Sequence, residues 1–560
     1  MVISWGLAII AVALVLPVAR TGQFLASASA ADLSSLIAGV WIFKLASAAL
    51  GALWIAADAF RPSGGEFDAL LEGGRSDAAA PSRRWNAAAL AICVLGLLLR
   101  CYDLNSGLWF DEIDTLVRYG SASMTRVVSS FETQNNHVAY SILANLSVGA
   151  LGPSAWALRL PAVILGVLSL WALWRFALRV TSPAEALLAT AFLAVSSHHV
   201  SFSQDARGYT GMLLASIVAS AVFLELVWQR KATGLRLPVS YGLAASFGIW
   251  MHSTAVFLVA AHFAIWIWLC WRRPSARGNR APVFWAFAFA TAFSLWAYAV
   301  VLPQFVHTLS GPSMPGQETQ WRNPLWMIRE TGAGLAAGLP GGWLALIEGG
   351  VLLALGLWSY GQQRRALLAI FLLPAVLTAT VVLAQGHNLW PRFFFFSAGF
   401  AVLILLRGIS EFVGLCARGP LVGMRRGLAW AAATLLCLAS AATLPRTYGP
   451  KQDFEAAGAF LQQRAAAEDV ATLEMANLPF LVHQGRPWTQ IDDLQGLMEF
   501  ERGKDKVWIV LTMPTHLAAV QPDIWKRLNS SEYRDEQVFF GTKRGGEIVV
   551  KVRVDTGRDH

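Results

Sequence analysis

The chain has 560 residues, of which 56% are hydrophobic and only 14% are charged, whereas an ordinary soluble domain carries about 25% charged residues. Long apolar segments recur from the start of the chain to about residue 444, which excludes a disordered or conventional soluble protein. The net charge of +9 does not indicate a nucleic-acid partner, because much of the Lys and Arg lies in short loops between apolar segments. The sequence therefore predicts a polytopic α-helical membrane protein.

A membrane-spanning helix needs about 20 mostly apolar residues, and the sequence predicts about 13 such helices. They cover residues 2–19, 35–58, 86–102, 158–178, 184–199, 208–228, 238–252, 254–271, 282–302, 341–360, 366–384, 393–408 and 427–444. The first segment can also be interpreted as a signal peptide, because Ala28-Ser29-Ala30 mimics a cleavage site. No basic region precedes this apolar run, which favours an uncleaved helix.

The basic residues predict the orientation of the chain. If the N-terminus is cytoplasmic, the inner loops contain about twice as many Lys and Arg residues as the outer loops, and the positive-inside rule selects this arrangement. The outer segments are then residues 103–157, 200–207, 303–340 and 385–392 and the tail after residue 445. We expect the functional residues in these outer segments.

Three connecting segments have their own interpretation. Residues 136–152 are apolar but short, are interrupted by Asn145 and end at Gly-Pro, so they predict an interfacial helix on the outer surface. Residues 61–84 are rich in Gly, Ser and Ala and predict a cytoplasmic linker. Residues 303–340 have few regular signals, which is typical of a mobile lid and equally of an inert connector.

The tail after residue 445 differs in character from the rest of the chain. Its patterns predict a helix at 454–464, strands at 470–473 and 507–512, a helix at 517–528 and a hairpin formed by 538–541 and 548–554. The acidic pair Asp492-Asp493 is typical of a solvated turn. The predicted domains are a helix pair with the cytoplasmic linker at 1–85, a transmembrane domain at 86–444 and an extracytoplasmic α/β domain at 445–560.

The most informative outer segment is LWFDE, which directly follows a predicted helix. Two adjacent carboxylates, Asp111 and Glu112, stand here beside aromatic residues, although acids cost free energy near hydrocarbon. A sugar-transfer site would use one of them as the general base that takes a proton from an acceptor hydroxyl. From composition alone, a solvated loop turn is the alternative.

Three further outer segments carry polar residues that could serve such a site. SQDARGY contains Asp205 and Arg207, which could instead form a self-contained salt bridge. The segment NNH ends in His137 and opens the predicted interfacial helix. WPRF contains Arg392 at the start of a late span, where snorkelling to lipid headgroups is the alternative role.

The order of these motifs resembles the GT-C membrane glycosyltransferases of family 39, the group of protein O-mannosyltransferases and bacterial aminoarabinose transferases. The residues that carry the resemblance are LWFDE (108–112), NNHVAYSILANL (135–146), SAWALRLPAVILGVLSLWAL (154–173), SQDARGY (203–209) and WPRFFFF (390–396). Each motif is weak alone, but five in the family's order form a specific signal. The likeness covers roughly residues 86–410 and implies a GT-C-like fold for the transmembrane domain.

The resemblance also implies catalytic residues. Asp111 takes the place of the family's catalytic Asp and is expected to act as the general base. Glu112 is then a supporting residue. Asp205 takes the place of the acidic residue in the second outer motif.

The expected substrate-binding residues follow in the same way. Arg392 matches an Arg that faces the donor phosphate, a role that suits the forked geometry of a guanidinium. His137 matches a His that relatives follow with Pro, whereas Val follows it here, a departure on the acceptor side of the site. Arg207 and Tyr209 belong to the SQDARGY motif, and His252 lies at the outer end of a helix, where a structural histidine is the alternative.

The sequence thus predicts a multi-pass inner-membrane enzyme that moves a hexosyl or pentosyl group from a polyprenyl phosphate to an acceptor on the outer face, with inversion. The expected partners are the lipid-linked donor and membrane lipid, and the acceptor is a lipid, a glycan or a protein. No cofactor is expected to be required, and no metal-ligand spacing indicates a metal. A flippase for lipid-linked saccharides is the alternative function, although we detect no internal repeat; an inert scaffold is the third.

Overall fold

The computed structural model describes residues 2–60, 82–228, 234–273, 280–310, 322–338, 342–543 and 545–554. Most of the predicted linker at 61–84, and part of the predicted lid or connector at 303–340, lie outside the described residues. The prediction of a mostly helical chain with a small sheet near its C-terminus is confirmed.

Ten helices in the described ranges are long and apolar enough to cross a membrane, and each lies on a predicted span. They are Leu33–Ala59, Arg83–Cys101, Ala155–Val180, Tyr209–Trp228, Ser253–Arg272, Arg280–Tyr298, Trp343–Gln363, Arg365–Ala384, Pro391–Cys416 and Leu421–Arg446. Helices suit this role because they bond nearly all their backbone polar groups internally, as hydrocarbon requires.

The other three predicted spans are helical but are not simple spans. Two of them are bent pairs, Ser4–Val15 with Val18–Ala26 at 75° and Pro183–Ala194 with Ser197–Ser203 at 60°. Pro17 stands at the first bend, where it lacks the N–H that a continuous helix would need. The third, Arg236–Met251, has only 16 residues. Within the described residues, the expected count of about 13 therefore becomes ten, or up to twelve with the bent pairs.

Helix Tyr209–Trp228 is buried in the bundle and packs against Ala155–Val180. The second of these helices contains Pro161, which lacks the N–H that would bond to the carbonyl of Ala157. The hydroxyl of Ser147 donates to that carbonyl at 2.6 Å. A neighbouring short helix thus supplies the hydrogen bond that the proline removes.

Short helices connect or extend the long ones. Their bounds are Phe110–Thr115, Leu116–Gly120, Met124–Ser129, Val138–Leu151, Leu302–Ser310, Pro324–Gly338 and Pro391–Ser397. Val138–Leu151 is the short apolar helix predicted at 136–152. The described part of 303–340 is largely helical, contrary to the expected irregular loop. The missed signal is Asn323 before proline, since its side chain accepts a bond from the Leu325 backbone N–H at 3.0 Å.

The sheet near the C-terminus has five strands: β1 Val470–Leu473, β2 Thr489–Ile491, β3 Lys506–Thr512, β4 Tyr533–Phe539 and β5 Ile548–Val554. Their order is β2-β1-β3-β5-β4. β1 pairs in parallel with β2 and β3, whereas β5 pairs antiparallel with β3 and β4. The predicted closing hairpin is therefore present, although its first strand begins earlier than expected and β2 was not predicted.

Four α-helices accompany the sheet in the described residues: Phe454–Arg464, Leu494–Glu501, Pro514–Val520 and Pro522–Leu528. The single helix predicted at 517–528 is wrong, because the chain leaves helical geometry at Gln521, directly before a proline. Asp493 caps the helix Leu494–Glu501 by accepting a bond from the Gly496 backbone N–H at 2.7 Å. The acidic pair therefore starts a helix at an exposed turn.

Candidate active site

Asp111 lies in the first turn of the short helix Phe110–Thr115, where the positive end of the helix favours an acidic side chain. The backbone N–H of Phe110 at this helix end donates to Oε1 of Gln452 at 2.9 Å. A guanidinium nitrogen of Arg392 lies 3.7 Å from Oδ2 of Asp111. Two residues that are 281 positions apart in the chain, and were predicted from separate motifs, therefore face each other.

Three cations act on the Asp111 carboxylate: Lys543, Arg207 and Arg392. The side chain of Asn135 also donates a hydrogen bond to it. Burial raises the pKa of Asp111, but the cations and the hydrogen bond outweigh burial and hold the pKa below its ordinary value. The side chain is therefore ionised at neutral pH.

Glu112 has different surroundings from its neighbour. Its two oxygens accept hydrogen bonds from Nε and a terminal nitrogen of Arg159 at 2.8 and 2.6 Å. Both side chains are almost fully buried. Burial raises the pKa of Glu112, but Arg159 and Lys451 outweigh it and lower the pKa to about 2. The backbone N–H of Ala206 donates to the same carboxylate at 2.9 Å, so Glu112 holds the two outer motifs together.

Asp205 also contacts the LWFDE motif. Its Oδ1 accepts a hydrogen bond from the indole N–H of Trp109 at 3.1 Å. The ammonium of Lys451 lies 3.5 Å from the same oxygen. Asp205 thus orients an aromatic side chain next to Asp111.

Arg207 connects the second motif to His137 and Asn135. One of its terminal nitrogens bonds to the Asn135 side-chain oxygen and lies 3.1 Å from Nε2 of His137. The backbone N–H of Gly208 donates to Nδ1 of His137 at 2.9 Å. Burial, and then the nearby positive charge of Arg207, lower the pKa of His137 well below its ordinary value, so this imidazole is neutral.

Tyr209, His252 and Phe393 form an aromatic wall beside His137. The ring of His137 lies 4.8 Å from that of His252 and 5.2 Å from that of Tyr209, centroid to centroid. The His252 ring contacts Phe393, the residue after Arg392, at 5.6 Å. All eight predicted site residues thus belong to one connected group of side chains.

Arg159, Lys451, Gln452 and Lys543 also belong to this group and were not predicted. Arg159 had a signal, because an arginine inside an apolar helix needs a partner and usually faces the protein interior. The other three had none, since they lie more than 330 positions from LWFDE and only the fold brings them there. In the described parts of the chain, no group of three or more His, Cys, Asp or Glu side chains is arranged to hold a metal ion.

A family model described as dolichyl-phosphate-mannose-protein mannosyltransferase matches residues 138–302. The match includes Asp205, Arg207 and His252 but neither Asp111 nor Arg392. No curated protein matches the chain.

Several solved structures are similar to the chain at low identity. ArnT from Cupriavidus metallidurans, in a crystal structure with bound undecaprenyl phosphate, is 13% identical, with a TM-score of 0.47 over 84% of this chain and 98% of that one. The oligosaccharyltransferase of Archaeoglobus fulgidus is 10% identical, with a TM-score of 0.49 over 81% and 72%. The arabinosyltransferase EmbB of Mycobacterium smegmatis is 12% identical, with a TM-score of 0.42 over 82% and 47%. The family model confirms, over residues 138–302, the predicted resemblance to the family 39 group that contains the protein O-mannosyltransferases.

Proposed function

We propose that the protein transfers one sugar from a polyprenyl-phosphate donor to an acceptor on the outer face of the cytoplasmic membrane. Asp111 is the general base, and Arg392 binds the donor phosphate. The dolichyl-phosphate-linked mannose in the description of the matching family supports this class of donor.

The observation that carries the proposal is the 3.7 Å approach of Arg392 to Asp111. In the transition state of a glycosyl transfer, the attacking and leaving oxygens both lie on one anomeric carbon. The base that serves the first oxygen and the cation that serves the second must therefore border the same space, on opposite sides of the anomeric carbon. Asp111 and Arg392 border one such space.

The reaction is a single displacement. The acceptor oxygen forms a bond to the anomeric carbon while the bond from that carbon to the phosphate oxygen breaks. The acceptor proton passes to Asp111, and the electron pair of the broken bond leaves with the polyprenyl phosphate, whose developing charge Arg392 stabilises. Attack opposite to the leaving group inverts the anomeric centre. Glu112 and Asp205 act by positioning, since Arg159 and Trp109 already engage them.

Donor binding also makes Asp111 a stronger base. Without donor, Arg392 pairs with Asp111 and helps to keep its pKa low. A donor phosphate competes for that guanidinium, so part of the positive field on Asp111 is neutralised and its pKa rises. The base thus gains proton affinity when the donor is in place.

The experiment follows release of polyprenyl phosphate by purified protein in detergent, with candidate polyprenyl-phosphate sugars and an envelope extract as acceptor. Asp111→Asn should lower turnover at least ~100-fold, as expected for loss of a general base. Asp523→Asn, which changes an exposed carboxylate in the C-terminal region, should have no effect.

Wild-type turnover in folded Asp111→Asn protein would refute the role of Asp111. The flippase alternative is tested by the same preparation, because detergent-solubilised protein has no membrane across which to move lipid. If no donor is consumed in detergent, yet lipid-linked sugar crosses a reconstituted bilayer unchanged, the protein is a flippase.

A further inference from the structure

The loop between β4 and β5 reaches from the C-terminal sheet to the candidate active site. The backbone N–H of Thr542 donates to the carbonyl of Pro450 at 3.0 Å, and that of Lys543 donates to the carbonyl of Lys451 at 3.2 Å. At Gly541 a Cβ would lie 1.9 Å from the Lys451 carbonyl oxygen, so only glycine allows this close approach. The loop is thus held against the segment at 450–452.

Gln452 bonds the segment at 450–452 both to the C-terminal sheet region and to the helix that carries Asp111. Its Nε2 donates to the carbonyl of Gly546 at 2.9 Å and to the hydroxyl of Thr512 at 3.2 Å. Its Oε1 accepts the Phe110 N–H at the start of the helix that carries Asp111. Three bonds of one buried side chain therefore set the position of the β4–β5 loop relative to Asp111.

Lys543 is the residue that this arrangement brings into the site. Its ammonium lies 3.1 Å from the centroid of the Trp109 ring, where the face of an indole attracts a cation. The charged groups that act on it are Asp111, Asp205, Arg392 and Lys451. Lys543 therefore stands in the same cluster as the proposed base and the proposed phosphate ligand.

The charges of this cluster favour an anionic ligand. Glu112 and Arg159 neutralise each other. Around Asp111, four basic side chains then face two carboxylates, which leaves an excess of positive charge; the groups are Arg207, Arg392, Lys451, Lys543, Asp111 and Asp205. A phosphate monoester, the form in which the lipid carrier leaves, carries about −1.5 to −2 at pH 7. The leaving group therefore carries the negative charge that this excess of positive charge attracts.

Resting on the function proposed above, we propose that Lys543 binds the phosphate of the polyprenyl donor together with Arg392, so that the C-terminal domain completes the active site. The ammonium then gains a phosphate oxygen as a partner while Trp109 continues to support it. In this role Lys543 stabilises the negative charge that develops as the sugar–phosphate bond breaks.

The test measures binding of undecaprenyl phosphate to the full-length protein in detergent. Lys543→Gln should weaken binding about tenfold or more, the effect of losing one charge-assisted hydrogen bond. Lys543→Arg keeps the charge and should stay within about threefold of wild type. The control Lys526→Gln removes an exposed lysine from the same domain and should bind normally.

Unchanged affinity in Lys543→Gln, with weakened binding in Arg392→Gln, would overturn this inference and leave the proposed donor intact. Absence of any binding to wild-type protein would overturn both. If Lys543→Gln fails to fold, Lys543→Met is measured in its place against the same controls. Equal losses of affinity in Lys543→Gln and Lys526→Gln would also contradict the inference, because they would reflect only the net charge of the domain.

Discussion

The two neighbouring carboxylates of LWFDE have different surroundings, which predicts different roles. Asp111 keeps 13% of its side chain exposed and faces three cations, Lys543, Arg207 and Arg392. Glu112 is fully buried, and its hydrogen bonds tie Arg159 and the backbone of Ala206 to the motif. Loss of Asp111 should therefore affect chemistry, and loss of Glu112 should affect the folded state.

Glu112→Gln should destabilise the protein. The amide keeps the shape of the carboxylate but leaves Arg159 as a buried cation without its counter-charge, and removal of one partner of a buried pair costs about 3–5 kcal/mol. In detergent, the midpoint of thermal unfolding of Glu112→Gln should be lower than that of the control variant Asp523→Asn. The double variant Glu112→Gln/Arg159→Met should recover part of the loss, because no unpaired charge is left. Equal midpoints for Glu112→Gln and wild type would contradict this account.

Lys543 should make donor use depend on pH. Burial lowers the pKa of Lys543 to about 7, against the attraction of Asp111, so the side chain is charged below pH 7 and becomes neutral above it. The kcat/KM for the donor should therefore fall as pH rises from 7 to 8.5, since this quantity reports the free enzyme. The groups that face Lys543 and set this pKa are Asp111, Asp205, Arg392 and Lys451.

Lys543→Arg provides the control for this pH dependence, because a guanidinium stays charged throughout the range. Its kcat/KM should lack the fall between pH 7 and 8.5. An identical fall in Lys543→Arg and wild type would assign the titration to another group.

Residues with unusual local sequence could be predicted, and residues whose role depends on distant packing could not. Asp111, Asp205 and Arg392 stand in polar or aromatic motifs beside apolar helices. A charged side chain is costly near hydrocarbon, so its presence there indicates a functional role. Lys543 stands in a short polar loop between two strands, a setting typical of any solvated lysine. Tertiary contacts of its loop, among them those of Gly541 and Gln452, place it beside Trp109.

At the scale of the elements, a single glycine controls how the SQDARGY segment enters helix Tyr209–Trp228. A Cβ at Gly208 would lie 2.1 Å from the carbonyl oxygen of Met251 and 2.9 Å from Nδ1 of His137. The segment can therefore approach both neighbours only without a side chain at this position. This contact aligns Arg207 with His137.

Gly208→Ala should lower donor turnover by about 100-fold, because displacement of a binding segment by about 1 Å has effects of this size. The measurement is polyprenyl phosphate release by purified protein. Gly149→Ala is the matched control, since nothing lies within 4 Å of a Cβ at that position. Normal turnover in Gly208→Ala would mean that the segment tolerates a shift away from His137.

Most helices were predicted from the length of the apolar runs, and the strands were predicted from short β-rich runs. The exceptions have local causes. Residues 517–528 have a helical pattern, but Pro522 divides them into two helices. The bends at Pro17 and near Ser196 break two apolar runs that are long enough to span. The length and hydrophobicity of an apolar run predict that it is helical. The position of a break within the run depends on single residues and on the backbone hydrogen bonds that they make or lack.

At the scale of the whole molecule, the region after the last membrane helix contributes residues to the candidate site. Lys451, Gln452 and Lys543 all lie after the last membrane helix and contact the segment that carries Asp111. The site and the domain must therefore lie on the same side of the membrane. The distribution of Lys and Arg predicts that this is the outer side.

Alkaline phosphatase fused after His560 should consequently be active, because this reporter works only outside the cytoplasm, and a cytoplasmic reporter at the same position should be inactive. A fusion after Arg365, in a predicted inner loop with two adjacent arginines, should give the opposite pair of results. The reverse outcome at both positions would place the tail in the cytoplasm. Asp111 would move with the tail, because Gln452 bonds to the start of its helix, and the acceptor would then have to be sought on the inner face.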